Sequence, residues 1–237
     1  MVSIEAPETT YTSAAGVFNP TTNLQGGASP AFSSVPDLLA RLTWRQDGRF
    51  YDAQWTYFHL QLGDNSTRST GIVTLHGLAP LDTRISQATP RNIRFDYDGH
   101  LLHYANPEES LPLSSGMQDR LSVLIQLSAM LAADPTRYPP GTAVTLPVAT
   151  GSAAGDQTFT VEEEESFEAL RNQNVRALRL VQRPRNDQDP RTEVWLSPDM
   201  EYLPVRIRVT HPNGDVADHR VVRAQALNVE PAARSVR

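Results

Sequence analysis

The sequence predicts a mainly β protein: a strongly curved antiparallel sheet or half-open β-barrel, of about ten strands, wrapped around one central α-helix over residues 115–134. Three observations lead there. Ser115–Asp134 is the one long segment with a helical pattern. Around it lie many short runs in which apolar and polar residues alternate. Asp47-Gly48, Asp98-Gly99 and Asn213-Gly214 sit between such runs, and these dipeptides favour the left-handed geometry of tight hairpins.

The helix segment is apolar over most of its circumference. Leu121, Val123, Leu124, Ile125, Leu127, Met130 and Leu131 leave only a narrow stripe to Gln118, Ser122, Gln126 and Ala129. Such a helix needs cover on most sides, and the Gln/Ser stripe is the side expected to be wet. Ser115 with Gln118 fits a capping box, and Asp119 in the first turn would complement the helix dipole. Asp134-Pro135 ends the helix, because proline disfavours helical geometry in the residue before it.

A chain of 237 residues with 39% hydrophobic content can bury one sizeable core. The net charge of −6 argues against a nucleic-acid partner, since phosphate binding needs a positive footprint. There are no cysteines, so disulfides, thiolate metal sites and a cysteine nucleophile are excluded. No run approaches the ~18 apolar residues of a membrane-spanning helix, and Met1–Pro7 lacks the features of a secretory signal. Composition alone fits the cytoplasm as well as any other compartment.

Residues 1–36 are rich in Ser, Thr, Pro, Gly and Ala and read as an irregular or flexible N-terminal extension, with an added edge strand anchored by Tyr11, Phe18 and Phe32 as the alternative. Residues 37–228 read as a single β-rich domain, and 229–237 as a frayed tail. Within the domain, Leu38–Arg45 and Phe50–Leu60 form a hairpin, and further strands are expected at Arg68–His76, Leu81–Ala88, Ile93–Tyr97 and Leu101–Tyr104. After the helix come Val144–Val148, Gln157–Glu163, Val175–Gln182 and Glu193–Leu196, then a hairpin pairing Val205–Val209 with Val216–Val222.

Catalytic chemistry finds little support. No nucleophile elbow, phosphate loop, dinucleotide fingerprint or zinc-protease helix is present, so the expectation is a protein that is not an enzyme and uses no cofactor. His100 and His103 would point to opposite faces of a strand, which gives no metal pair. The Asp96-Asp98-Gly99 pattern is explained by its hairpin turn, and Glu162–Glu165 reads as a solvated strand end with a cation site as the minor alternative. The aromatic residues say more. Trp44, Trp55 and Tyr57 on neighbouring strands, with Phe95 and Tyr97, would face the helix residues Leu121, Leu124 and Gln126. They either fill a core or line a cavity for an apolar ligand.

Two motifs carry a resemblance. Gln118, Asp119, Leu121, Ser122, Gln126 and Leu127, followed near the end by Trp195, Leu196, Tyr202, Leu203, Pro204, Val205 and Arg206, resemble a bacterial family called domain of unknown function 3108. The resemblance covers about Leu38–Leu227 and implies an exported cell-envelope protein of a Gram-negative bacterium, periplasmic once its signal is removed. It also looks like the architecture of periplasmic lipoprotein carriers, a fold-level analogy that does not fix function. The aromatic sheet face opposite an apolar helix leads to the expectation of an apolar small molecule or lipid as partner, the alternative being an envelope protein bound through an edge strand or the N-terminal extension. Trp195, Pro204 and Arg206 enter as motif positions with structural roles expected.

Overall fold

The computed structural model describes residues 8–18, 38–59, 63–87, 89–104, 110–151, 153–169, 173–184, 186–187 and 189–227. Among the described residues, nine strands precede the helix: β1 (Glu8–Phe18), β2 (Leu38–Gln46), β3 (Phe50–His59), β4 (Gly63–Thr74), β5 (Gly77–Ser86), β6 (Arg91–Asp96), β7 (Leu101–Tyr104), β8 (Ser110–Pro112) and β9 (Gln118–Asp119). The helix α1 spans Ser122–Ala133, and β10 (Ala143–Ala149), β11 (Ala154–Ala169), β12 (Gln173–Gln182), β13 (Arg191–Ser197), β14 (Leu203–Thr210) and β15 (Val216–Leu227) follow. All fifteen strands form one sheet, in the order β8-β7-β6-β5-β4-β3-β2-β1-β15-β14-β13-β12-β11-β10-β9. Every pairing is antiparallel except the short parallel contact of β9 with β10.

The order describes two meanders, β2 to β8 and β10 to β15, joined through β1. Short hairpins build each one, because consecutive antiparallel strands need only tight connections. The join is non-local: β1 pairs with β2 on one side and with β15 on the other, Glu8 lying opposite Leu227 and Phe18 opposite Val216. Residues 8–18, expected within an irregular extension or at an edge, therefore run through the interior of the sheet. The tail at 229–237, Phe32 and the polar connection at 106–109 lie outside the described residues.

The sheet curls around α1. The helix touches β5 on one arm and β14 on the other, with β4, β3, β2, β1 and β15 between them in the sheet. Val123, Leu124, Leu127 and Leu131 bury against Val144, Val148, Phe159, Val161, Leu180, Val194, Leu196 and Ile207. Side chains of that size each contribute roughly 1.5–3 kcal/mol when removed from water, which is why a helix with so little polar surface is stable inside the curl. The far ends of the sheet also meet. Ile93, Phe95, Leu102 and Tyr104 of β6 and β7 pack on Met117 and Ala149, Arg91 Nη1 donates to the Gly151 carbonyl at 2.9 Å, and the Tyr104 hydroxyl donates to the Ala153 carbonyl at 3.1 Å. Side-chain contacts, not a ladder, draw the barrel towards closure.

The helix begins seven residues later than its sequence pattern suggests. Ser115 and Gly116 form a turn, and Gln118–Asp119 is extended and paired with Val148–Ala149. The Ser115/Gln118 capping box does not form. A different reciprocal pair starts the helix: Asp119 Oδ1 accepts the backbone N–H groups of Leu121 and Ser122, each at 2.8 Å, and Ser122 Oγ accepts the Asp119 N–H at 2.9 Å. The wet side of the helix also differs. Ser122, Gln126 and Ser128 are buried, whereas Ala129, Ala132 and Ala133 are exposed. Ser122 and Gln126 find partners in the sheet and Ser128 donates to the Leu124 carbonyl of its own helix, so burial is no penalty for them.

Candidate functional site

Three groups of side chains contain the residues singled out by sequence. The first ties the start of α1 to the sheet. Asp119 is fully buried. Its Oδ2 accepts Ser69 Oγ and, at 2.8 Å, Thr83 Oγ1, while Oδ1 takes the two helix N–H groups. Because Ser69 gives its single hydroxyl proton to Asp119, the Tyr51 hydroxyl must donate to Ser69, 3.0 Å away. Burial, and then the nearby Asp119 charge, push the Tyr51 phenol far above its ordinary value and that of Tyr97 up to about 12. Next to this centre the Leu78 backbone is held on both sides: its N–H donates to Gln126 Oε1 and its carbonyl accepts Gln118 Nε2, both at 2.7 Å. Gly77, at φ +117°, makes this approach feasible, since a β-carbon there would collide with Gln126. Gln118, Asp119, Ser122 and Gln126 are thus brought together, and they fasten helix to sheet.

The second group is the inward aromatic face of β2 and β3. Leu42 opposes Trp55 and Trp44 opposes Ala53 in the ladder, so these residues share a face. Leu42, Tyr51 and Ala53 on that face are buried with Leu121 and Ile125 of the helix. Trp44 stacks on Tyr51 with ring centroids 5.4 Å apart, and Trp55 meets the His219 ring edge-on at 5.3 Å. Both tryptophans pack on the core and both keep partial access to solvent. Trp55 bridges two clusters, lying against those of Leu121 and of Leu124. Burial holds His219 down to about 4, the opposing pull of Asp218 being smaller.

Six of the eight proposed lining residues are distributed over three hydrophobic clusters. Trp44, Trp55 and Leu121 share the first cluster, Leu124 belongs with Trp55 to the second, and Phe95 and Tyr97 lie in the third with Leu102 and Met117. The side chain of Tyr57 is outside the described residues. Phe95, Leu121 and Leu124 are buried by protein. Trp44, Trp55 and Tyr97 are partly exposed.

The third group was not legible as a unit. Trp195 of β13 opposes Arg206 of β14 beside a register shift, and Trp195 is buried in the cluster that also holds Leu121 and Ile125 of the helix. The Arg206 guanidinium sits 4.4 Å from the centroid of Trp195 and makes two bonds to Asp218, at 2.7 and 2.5 Å. Trp195 Nε1 donates to Glu165 at 3.0 Å, and Arg179 bridges Glu165 and Glu193. Burial of Asp218 is outweighed by the bonds from Arg206 and Arg208, which bring it down to about 2. Pro204 is buried opposite Leu196, at a register shift where a missing N–H is tolerated. The alternation of Arg206 and Arg208 across the Asn-Gly turn from Asp218 and Arg220 is the signal that could have found this network. The acidic run also resolves: Glu162, Glu164 and Glu165 face Arg183, Arg176 and Arg179.

Among the described residues, no three His, Cys, Asp or Glu side chains converge as metal ligands. His100 lies in a turn at φ +54°, while His103 in β7 contacts Asp96 and Ser110. Among the described residues, no helix is long and apolar enough to cross a membrane.

The sequence matches the family model described as "Protein of unknown function (DUF3108)" over residues 34–219. The chain belongs to the DUF3108 family. The matched span of this DUF3108 protein holds all three groups above and omits β1. No curated protein matches the sequence. A solved structure similar to it is the β-barrel-like protein of domain of unknown function DUF1849 from Brucella abortus, with a TM-score of 0.53 and 10% identity, covering 96% of this chain and 100% of the other. That likeness concerns the fold: a β-barrel-like architecture. A putative outer membrane lipoprotein-sorting protein domain from Vibrio parahaemolyticus aligns with a TM-score of 0.27 and 9% identity, over 97% of this chain and 87% of that one.

Proposed function

We propose that this DUF3108 protein is a non-enzymatic binding or carrier protein of the cell envelope for an apolar ligand bearing an acyl chain. The observation that carries the reading is the pair Trp44 and Trp55. Both point into the curl of the sheet, both rest on the helix-bearing core, and both retain solvent access where Phe95, Leu121 and Leu124 are buried. Large apolar rings left uncovered on an inward face favour an apolar guest over water. The envelope location rests on the resemblance in the two motifs.

Fluorescence tests the reading, because the chain has three tryptophans and the third, Trp195, is fully buried whereas Trp44 and Trp55 are partly exposed. A fatty acid brominated along its chain should quench Trp44 and Trp55 more strongly than Trp195. The variant Trp44→Phe/Trp55→Phe, which keeps only Trp195, should then show much weaker quenching. Native mass spectra of the gently purified protein should show adducts of acyl-lipid mass. Uniform apo mass together with unquenched Trp44 and Trp55 would sink the carrier role.

A further inference from the structure

β10 presents an open ladder edge, and its hydrogen-bonding pattern can be read residue by residue. The Val161 N–H donates to the Thr142 carbonyl at 2.8 Å, just before β10 pairs Val144 with Phe159. Paired groups alternate along an antiparallel strand, so Thr142, Val144, Leu146 and Val148 direct their backbone groups at β11. Ala143, Thr145, Pro147 and Ala149 direct theirs the other way. Pro147, with no N–H to give, fits that phase. On this outer side β9 covers only Val148 and Ala149. The N–H and C=O of Ala143 and Thr145 and the C=O of Pro147 have no ladder partner among the described residues.

The side chains beside this edge are also incompletely covered. Leu146 of β10, Tyr138 in the segment leading to it and Met130 of α1 are half-buried, all three packed on the cluster that contains Val144 and Val148. On the opposite face of the strand Thr145 is exposed and hydrogen-bonds Thr158 at 2.8 Å. One face of any added strand would thus meet aliphatic and aromatic groups, and the other would meet uncharged hydroxyls.

We propose that β10 takes up an extended segment of a partner protein, about five residues long, by strand addition along Ala143–Pro147. Its alternate residues are apolar where they lie beside Val144 and Leu146, over Met130 and Tyr138, and small and hydroxylated where they lie beside Thr145. Pro147 sets the limit of the pairing, because a carbonyl placed opposite its nitrogen finds no donor. The backbone edge of β10 does not include Trp44 or Trp55, although Trp55 packs on the same cluster as Met130, Tyr138 and Leu146.

The probe is a fluorescein-labelled, end-blocked peptide, Arg-Ser-Val-Thr-Val-Ser-Arg, followed by anisotropy with the full chain. Thr145→Pro removes an N–H that makes no bond within the sheet, so the fold should tolerate it as it tolerates Pro147. The expected result is peptide affinity weakened at least about tenfold, with the thermal midpoint lowered by only a few degrees. As a check that leaves the protein unchanged, methylating the peptide nitrogens that face β10 should abolish binding, whereas methylating the alternate ones should not. In the peptide complex the amides of Ala143 and Thr145 should gain protection from hydrogen exchange. Absence of peptide binding, equal affinity for both methylated peptides, or a Thr145 amide in the free protein that exchanges as slowly as that of Val144 would overturn the proposal. The last result would mean that the edge is already paired within the chain.

Discussion

His219 and Asp218 are neighbours in sequence on β15 and respond to acid in separate windows. Unfolded, the His219 ring binds a proton near its usual 6.5; folded, burial delays this to about 4. Between those values the unfolded chain holds the extra proton, so stability falls as pH drops through the window and levels off below it, by on the order of 3 kcal/mol in total. Asp218 acts lower down. Its usual 3.8 is brought to about 2, so the stability it contributes above about pH 4 is lost as pH falls towards 2. Urea midpoints measured across pH should therefore decline in two steps, with His219→Gln flattening the upper one and Asp218→Asn the lower. Asp119 shows where reading by residue stops. The pattern around it placed it in the first turn of a helix starting at Ser115, whereas it lies in β9, just before a helix that starts at Ser122. Its actual partners, Ser69 and Thr83, come from strands β4 and β5, far away in sequence.

At the scale of elements, the start of α1 separates two local readings. Ser122→Ala removes the hydroxyl that accepts the Asp119 N–H and should cost about 1 kcal/mol, as lost caps do. Ser115→Ala, the cap expected from the spacing, should change stability by less than about 0.5 kcal/mol, as surface substitutions do. Chemical denaturation of the two variants checks the pair. The hairpins at Asp47-Gly48 and Asn213-Gly214 were legible because their signals lie within a few residues, and the strand pairs around them are present in the expected phase. Gln118–Asp119 was not, because its extended form depends on a pairing with Val148–Ala149 that no local pattern records. The Gln/Ser stripe misled for a similar reason: polarity on a helix marks water only when the sheet offers no partner, and here Leu78 offers its backbone.

For the whole molecule, the mainly β architecture around one apolar helix was visible in the contrast between period-two runs and a single segment with apolar residues on nearly every side. The strand that joins the two meanders was not, since residues 8–18 are poor in large apolar side chains and their pairing is set by β2 and β15. Deleting residues 1–18 should expose the edges of both strands. The expected outcome is a lower thermal midpoint and concentration-dependent aggregation, read by light scattering; a flexible extension would leave both unchanged. The position of β1 also bears on time. One edge of β1 can pair with nearby β2, but its other edge must wait unpaired until residues 216–227 have been made. Ordering across such a separation is slow, and completion of the sheet becomes the last event in the protein's assembly. During that interval the half-built barrel has two open edges at its centre, a period in which a chaperone or a protease would meet a very different molecule from the finished one.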